Sequence, residues 1–293
     1  MSKLLKAFVL SGVIVGLLAI PAAASATITS VFGSVTCTTQ GAGASEGQRW
    51  CGNTAGTTVP TWDGTPIDVS VAFPPATGAD NDYPVVGVYH AWGSTKILPS
   101  SATAQRWLKL GYAVFSMSDR GWGSSCGSPS KPANTLKAAP CEAGYVHLIS
   151  RKYEVRDAQY LLGLLAEEGV INPQEIGATG GSYGGGMSAQ LGSMNNRVEM
   201  LNGELVPWTT KNGTPMKISA TAPEYPWTDL AQALQPNGSW LDYVTNAPYA
   251  GMLGNHEFGI EKRLWNEELY LAGAAAAYYA PTTINEPEAN NTD

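Results

Sequence analysis

The residues with the clearest chemical promise are Gly180-Gly181-Ser182-Tyr183-Gly184, which fit the pattern G-x-S-x-G. Residues Ile176 to Thr179 read as a strand before it, and a helix is expected from about Gly184 after it. At such a junction the chain turns so tightly that the serine takes a strained backbone conformation and its hydroxyl stands above the sheet edge. Gly180 and Gly184 carry no side chain to clash with the neighbouring chain. The helix that follows aims its first amides at an oxygen gaining negative charge, with the Tyr183 N–H as one donor. The predicted chemistry is attack by Ser182 on a carbonyl carbon. A glycine-rich turn with an incidental serine is the plainer reading, but it does not account for the strand and helix on either side.

Attack needs a second oxyanion donor, a base and an acid. His90-Ala91-Trp92-Gly93 closes an earlier strand, and the amide of Ala91 or of Trp92 is the second donor. His90 itself is expected to pack or bond that loop rather than take a proton, and Trp92 lines either the pocket or the core. His256 is the one histidine after Ser182, and Asp229 follows the next strand, so these two are the base and acid candidates within the chain. Arg120, in Asp119-Arg120-Gly121-Trp122-Gly123-Ser124, pairs with Asp119 or with Asp157 to brace the loop, substrate contact being the other role. Ser128-Pro129-Ser130-Lys131 matches S-x-x-K but lies in a Pro- and Gly-rich loop rather than at the start of a buried helix, and is set aside. No C-x-x-C occurs and the three histidines are far apart, so neither a metal nor another cofactor is expected.

The elements that must position these residues alternate. Ile67 to Phe73 and Pro84 to His90 read as strands, Ser101 to Leu110 as a helix capped by Ser100 or Ser101, and Gly111 to Met117 as a strand. A long loop over 118–150 follows. A helix from Glu154 to Glu168 buries Val155, Ala158, Leu161, Leu162 and Leu165 and turns Arg156, Asp157, Glu167 and Glu168 to water. Met216 to Ala222 is a further strand. The order predicts an α/β fold with a mostly parallel sheet and helices on both faces. Residues 27–60, small and polar, read as an exposed lead-in, 27–225 as the core, and 226–293 as an inserted helical cap with a polar tail.

The first 26 residues form an address. Lys3 and Lys6 precede an apolar run from Ala7 to Ile20, Pro21 breaks it, and Ala24-Ser25-Ala26 is a small-x-small cleavage site. The run is short for a membrane span, which takes about 20 apolar residues, so a secreted, extracellular chain free of the membrane is expected. Cleavage removes two lysines and no acid, moving the formal charge from −7 to −9. With no clustered basic patch, nucleic acid is not an expected partner. Cys37, Cys51, Cys126 and Cys141 all lie in the mature chain, and an even count in an exported protein reads as disulfides. Of three possible pairings, Cys37–Cys51 and Cys126–Cys141 close two short polar loops. Asn212, Asn237 and Asn290 open glycosylation sequons that matter only in a eukaryotic secretory pathway.

The string Gly180 to Gly185, the segment Asp119 to Ser124, the helix carrying Arg156-Asp157 and the segment Pro226-Trp227-Thr228-Asp229-Leu230 together resemble the X-prolyl dipeptidyl peptidase and cocaine-esterase superfamily of α/β-hydrolases, in its secreted bacterial form. The resemblance runs from about Pro66 to Leu230. It implies a serine hydrolase acting on a small-molecule ester or a peptide, with a helical cap over the pocket. Two departures stand out. The family places a tyrosine in the loop after the early strand, whereas Tyr89 here precedes the loop. The family also puts acid and histidine after the cap, on the last strands. The expectation is therefore an N-terminal portion, poor as a catalyst, whose acid and histidine follow Asp293; the alternative is a compact enzyme using Asp229 and His256. A catalytically incomplete binding module and an acyltransferase are the other two readings of the same scaffold.

Overall fold

The computed structural model describes residues 27–126 and 139–229, with 233, 268, 269 and 271 beyond them. The expected signal peptide, the S-x-x-K string, His256 and nearly all of the expected cap lie outside these residues. Eleven strands and three α-helices are described. The strands are β1 (Ser30–Val31), β2 (Val35–Thr39), β3 (Arg49–Cys51), β4 (Thr58–Pro60), β5 (Pro66–Phe73), β6 (Tyr83–Tyr89), β7 (Ala113–Met117), β8 (Ile171–Gly181), β9 (Arg197–Glu199), β10 (Leu205–Pro207) and β11 (Ile218–Glu224). The helices are α1 (Ala102–Leu108), α2 (Glu154–Glu167) and α3 (Tyr183–Met194).

The main sheet runs in the order β1-β2-β3-β5-β7-β6-β8-β11, with β4 paired to β5. Strands β7, β6, β8 and β11 are mutually parallel, and β5, β3, β2 and β1 extend the sheet antiparallel beyond β7. Strand alternation divides the core between two faces. Val69, Val71 and Phe73 of β5, Val85 and Tyr89 of β6, and Ala113, Phe115 and Met117 of β7 pack with α2 and α3. Ala72, Val86, Val88 and Val114 point the other way and pack with Ala104 and Leu108 of α1. Both faces of the central strands are thus buried, which is why their sequences read as unbroken apolar runs.

That arrangement fixes where a site can form. The connection after β6 leaves toward α1 on one face, while the connection after β8 enters α3 on the other. Adjacent strands whose connections diverge in this way open a crevice beyond their carboxyl ends. The residues at its two lips are Ala91-Trp92 and Ser182.

Local chemistry explains the helices. The Ser101 hydroxyl accepts the Ala104 N–H at 3.1 Å and caps α1. In α2 the five predicted stripe residues are all fully buried, and Gly169, at φ 70°, stops the helix. Asp157 corrects the expectation of a water-facing residue: it is fully buried. Arg120 is the reason. Its Nε and Nη2 grip the two Asp157 oxygens at 2.6 and 2.7 Å, and its Nη1 reaches Asp63 at 2.7 Å. The guanidinium lies between the rings of Trp62 and Tyr153, 5.2 and 5.3 Å from their centroids. Arg120 therefore pairs with Asp157 and not Asp119. Arg120→Ala would leave a buried carboxylate without its counter-ion, a loss of about 3–5 kcal/mol, to be read as a lowered urea midpoint.

The lead-in also departs from expectation. Four short strands replace the exposed coil, each placing an apolar side chain (Val31, Val35, Cys51 or Val59) in the core. Arg49 pairs with Asp80, both buried. Strands of two or three residues carry too little periodicity to show in a sequence; pairing along the sheet makes them. Both expected disulfides are present. Cys37 and Cys51 stand opposite each other on β2 and β3, and Cys126–Cys141 ties the end of the loop after β7. No described helix is long and apolar enough to cross a membrane.

Candidate active site

Ser182 is the first residue past β8 and the N-cap of α3, with φ 57° and ψ −114°. This left-handed conformation is costly for any residue with a side chain. It is held by neighbours on both sides: the Ser182 N–H donates to the Glu224 carbonyl at 2.9 Å, and the Ser182 carbonyl accepts the Gly186 N–H at 3.0 Å. The residue is exposed while Tyr183 to Ser188 after it are buried. The hydroxyl is accessible on an otherwise packed turn.

Close approach explains the glycines around it. A Cβ on Gly184 would lie 2.2 Å from the Tyr89 carbonyl oxygen, and one on Gly185 2.2 Å from the Glu224 carbonyl oxygen. A Cβ on Gly180 would meet Gly184 and Tyr89 backbone at 2.7 Å. The first turn of α3 is therefore wedged between the carboxyl ends of β6 and β11. The amides of that turn, Tyr183's first among them, have no intrahelical acceptor, and they carry the positive end of the helix dipole.

Across the crevice, the loop after β6 is pinned by His90. The fully buried His90 ring contacts the Ala91 carbonyl through Nδ1 at 2.9 Å. A carbonyl only accepts, so Nδ1 carries the proton, and Nε2 accepts the Asp119 N–H at 3.0 Å. The Ala91 carbonyl also accepts the Ser94 N–H at 3.0 Å. These bonds fix the plane of the Ala91–Trp92 peptide and so the direction of the Trp92 amide. Burial pulls the His90 pKa down to about 4, and both ring nitrogens are occupied. His90 has no lone pair to offer Ser182.

His147 is no closer to the chemistry. It stacks between Tyr145 and Tyr153, with ring centroids 4.0 and 3.7 Å away. Burial, with the Arg120 charge in second place, lowers its pKa to about 3. An imidazole of depressed pKa binds fewer protons folded than unfolded. Its contribution is intact above the ordinary histidine value of about 6.5 and is lost as pH falls toward about 3. The stability difference between His147→Phe and the wild type should therefore shift in the variant's favour by about 1.4 kcal/mol per pH unit over that window. Urea titrations at stepped pH would measure it.

Tyr89 turns away from the crevice. Its ring folds back over Gly87, where a Cβ would lie 2.6 Å from the phenol oxygen, and the residue is buried. Asp119 is fully buried, and burial, reinforced by Glu154 and Asp157, holds its carboxyl well above the usual carboxylate range. The packing around the residue after Ser182 is aromatic. The Tyr183 ring has Trp92, Trp122 and Trp227 around it at 5.2, 5.8 and 6.2 Å between centroids. Trp92 Nε1–H donates to the Leu269 carbonyl at 2.8 Å, so a later part of the chain meets the loop after β6 here.

The structure thus brings Ser182, Tyr183, Ala91 and Trp92 to the carboxyl ends of the adjacent strands β6 and β8. Asp229 is exposed a few residues past β11, and His256 lies outside the described residues. One residue beside the serine turn carries no signal in the sequence. Glu224 ends β11 opposite Gly181 in the parallel register, and its carboxylate lies 3.9 Å from where a Cβ on Gly181 would sit. No motif marks a lone glutamate at a strand end.

No family model matches the chain, and no curated protein does. Among solved structures, the chain is similar to an acetyl xylan esterase from Paenibacillus sp. R4, at 18% identity over 53% of this chain and 47% of that one, with a TM-score of 0.37. A Pyrobaculum calidifontis esterase shows 17% identity over 79% and 59%, with a TM-score of 0.38. A puromycin hydrolase shows 21% identity over 46% and 20%, with a TM-score of 0.34. The chain spans about half the length of the first of these and about a fifth of the last.

Proposed function

We propose that this is a secreted serine hydrolase that cleaves a small-molecule ester or amide through an acyl-enzyme on Ser182. The carrying observation is the backbone of Ser182: an exposed serine held at φ 57° between a parallel strand and a helix N-terminus. Such strain persists only where surrounding structure imposes it, and here the wedge of Gly184 and Gly185 does so. The Ser182 oxygen attacks the carbonyl carbon while a histidine takes its proton. The resulting oxyanion accepts hydrogen bonds from the Tyr183 N–H and from the Ala91–Trp92 loop. Collapse expels the alcohol or amine, which leaves with the proton, and water then releases the acid. Ester cleavage stands ahead of X-prolyl peptide cleavage, because the nearest tyrosine, Tyr89, folds over Gly87 rather than toward the serine.

Both described histidines are committed elsewhere, so the base comes from outside the described residues. It is His256, with Asp229 as its acid, or a histidine that is not among the three of this sequence. His256→Ala decides between them. If His256 is the base, ester turnover should fall by several orders of magnitude toward the roughly 10³–10⁴-fold over water that an oxyanion site gives alone. If the variant retains wild-type turnover, His256 and Asp229 are removed from the mechanism.

A further inference from the structure

We propose that the groove between α2 and the β9–β10 hairpin binds a medium-chain alkyl carboxylate, its head on Arg156 and its tail along the apolar walls. The site is apart from Ser182: none of the groove residues belongs to the serine turn or to the loop after β6. The groove holds about 360 Å³, within the range of about 300–1,000 Å³ that small-molecule sites take. Arg156, Tyr160, Leu164 and Glu167 recur every three or four residues and so share one face of α2, which forms one wall. Val198 of β9 and Val206 of β10 stand on the other.

Arg156 is a cation without an anion. Among the described residues it makes no ion pair and no side-chain hydrogen bond. The other buried or half-buried arginines each hold an acid: Arg49 holds Asp80, Arg120 holds Asp157 and Asp63, and Arg151 holds Glu199. The acids that could answer Arg156 are thus committed. Asp157 and Asp63 both grip Arg120. Glu154, in the same helical turn, accepts the His147 and Ser150 N–H groups at 2.6 and 2.9 Å. Two further features favour an anion here. Arg156 stands in the first turn of α2, where the positive end of the helix dipole disfavours a cation. Its guanidinium also shares the Trp62 ring with that of Arg120, the two lying 3.8 and 5.2 Å from the ring centroid. Burial lowers the Arg156 pKa, and Arg120 adds to it while Asp157 and Asp63 oppose it. At 3.8 Å the guanidinium lies over the indole face, which leaves its N–H donors at the edge, in the fork that matches two carboxylate oxygens.

The rest of the groove sets the body of the ligand. Leu164, Val198 and Val206 are half-buried and line it with apolar surface. Arg156 and Leu164 are eight residues apart, about 12 Å along the helix, which an eight-carbon chain spans. At the far end Glu167 accepts the Asn212 N–H at 2.6 Å, and Lys211, next in sequence to Asn212, also lines the groove. Those two charges offset each other, and Arg156 remains the uncompensated one.

Octanoate and its neutral isostere octanamide separate the charge from the apolar contact without any turnover. Binding of each to the full chain would be followed by calorimetry and by tryptophan emission, since Trp62 and Trp208 both line the groove. Octanoate should bind about five- to tenfold more tightly than the amide, and added salt should erode that margin. In Arg156→Gln, with folding checked by a urea melt, the margin should vanish. An octanoate analogue with a diazirine at its tail places the ligand with no substitution at all. Photolysed on the wild type, it should mark the peptides that carry Leu164, Val198 or Val206. Equal affinities of acid and amide, no measurable binding of octanoate, a margin that survives Arg156→Gln, or an adduct confined to other peptides would overturn the proposal. Should Arg156→Gln fail to fold, the wild-type margin and the position of the adduct decide alone.

Discussion

Ser182→Ala is expected to abolish ester hydrolysis. In a complete triad the loss of the serine costs about 10⁶ in turnover, because no other group forms the acyl-enzyme. The fold should hardly notice. Ser182 is exposed, and the bonds that secure it are made by its main chain to Glu224 and Gly186, which alanine keeps. The variant should therefore unfold within about 0.5 kcal/mol of the wild type, as surface substitutions do. Hydrolysis of a short p-nitrophenyl ester, with a urea melt on the same samples, checks both halves. Activity retained in Ser182→Ala would place the chemistry on another residue.

The second large effect is structural first and catalytic in consequence. Gly184→Ala adds one methyl group 2.2 Å from the Tyr89 carbonyl oxygen and 3.0 Å from the His90 carbonyl oxygen. Both are backbone atoms at the end of a central strand, so neither can swing aside. Either α3 or the end of β6 must shift, and the loop that follows β6 carries Ala91 and Trp92. Overpacking of this kind costs about 1–3 kcal/mol. A displacement of about 1 Å between nucleophile and oxyanion donors costs about 10²-fold in rate. Gly163→Ala is the matched control. Its methyl would meet only Met216 Sδ, at an ordinary 3.8 Å, and alanine inside α2 should stabilise by about 0.5–1 kcal/mol. Thermal melts should move in opposite directions for the two variants, and only Gly184→Ala should lose activity.

The parts of this fold that were legible in the sequence are those whose signal is local. The G-x-S-x-G string, the apolar runs of β6 and β7 and the 3.6-residue stripe of α2 each announce themselves within a dozen residues. The parts that were not legible depend on partners distant in sequence. Strands β1 to β4 take their form from pairing along the sheet. Asp157 reads as one of two partners for Arg120, yet its place on the helix also reads as solvated, and only the fold decides for Arg120, 37 residues earlier. The hairpin of β9 and β10 pairs residues with little alternation. Glu224 comes beside the serine turn only because the parallel register sets it opposite Gly181. His90 shows the opposite limit. Its place before the Ala91–Trp92 loop was plain from the sequence, but its commitment to Ala91 and Asp119 becomes visible only with both partners in place.

The account turns on Ser182 being an activated nucleophile, and covalent labelling tests that most directly. The purified chain would be exposed to an alkyl fluorophosphonate at neutral pH, its intact mass measured, and the modified peptide sequenced. The account predicts one adduct per chain, on Ser182, formed far faster than on free serine, and none in Ser182→Ala. A chain that takes up no adduct, or takes it up equally in Ser182→Ala, would contradict it.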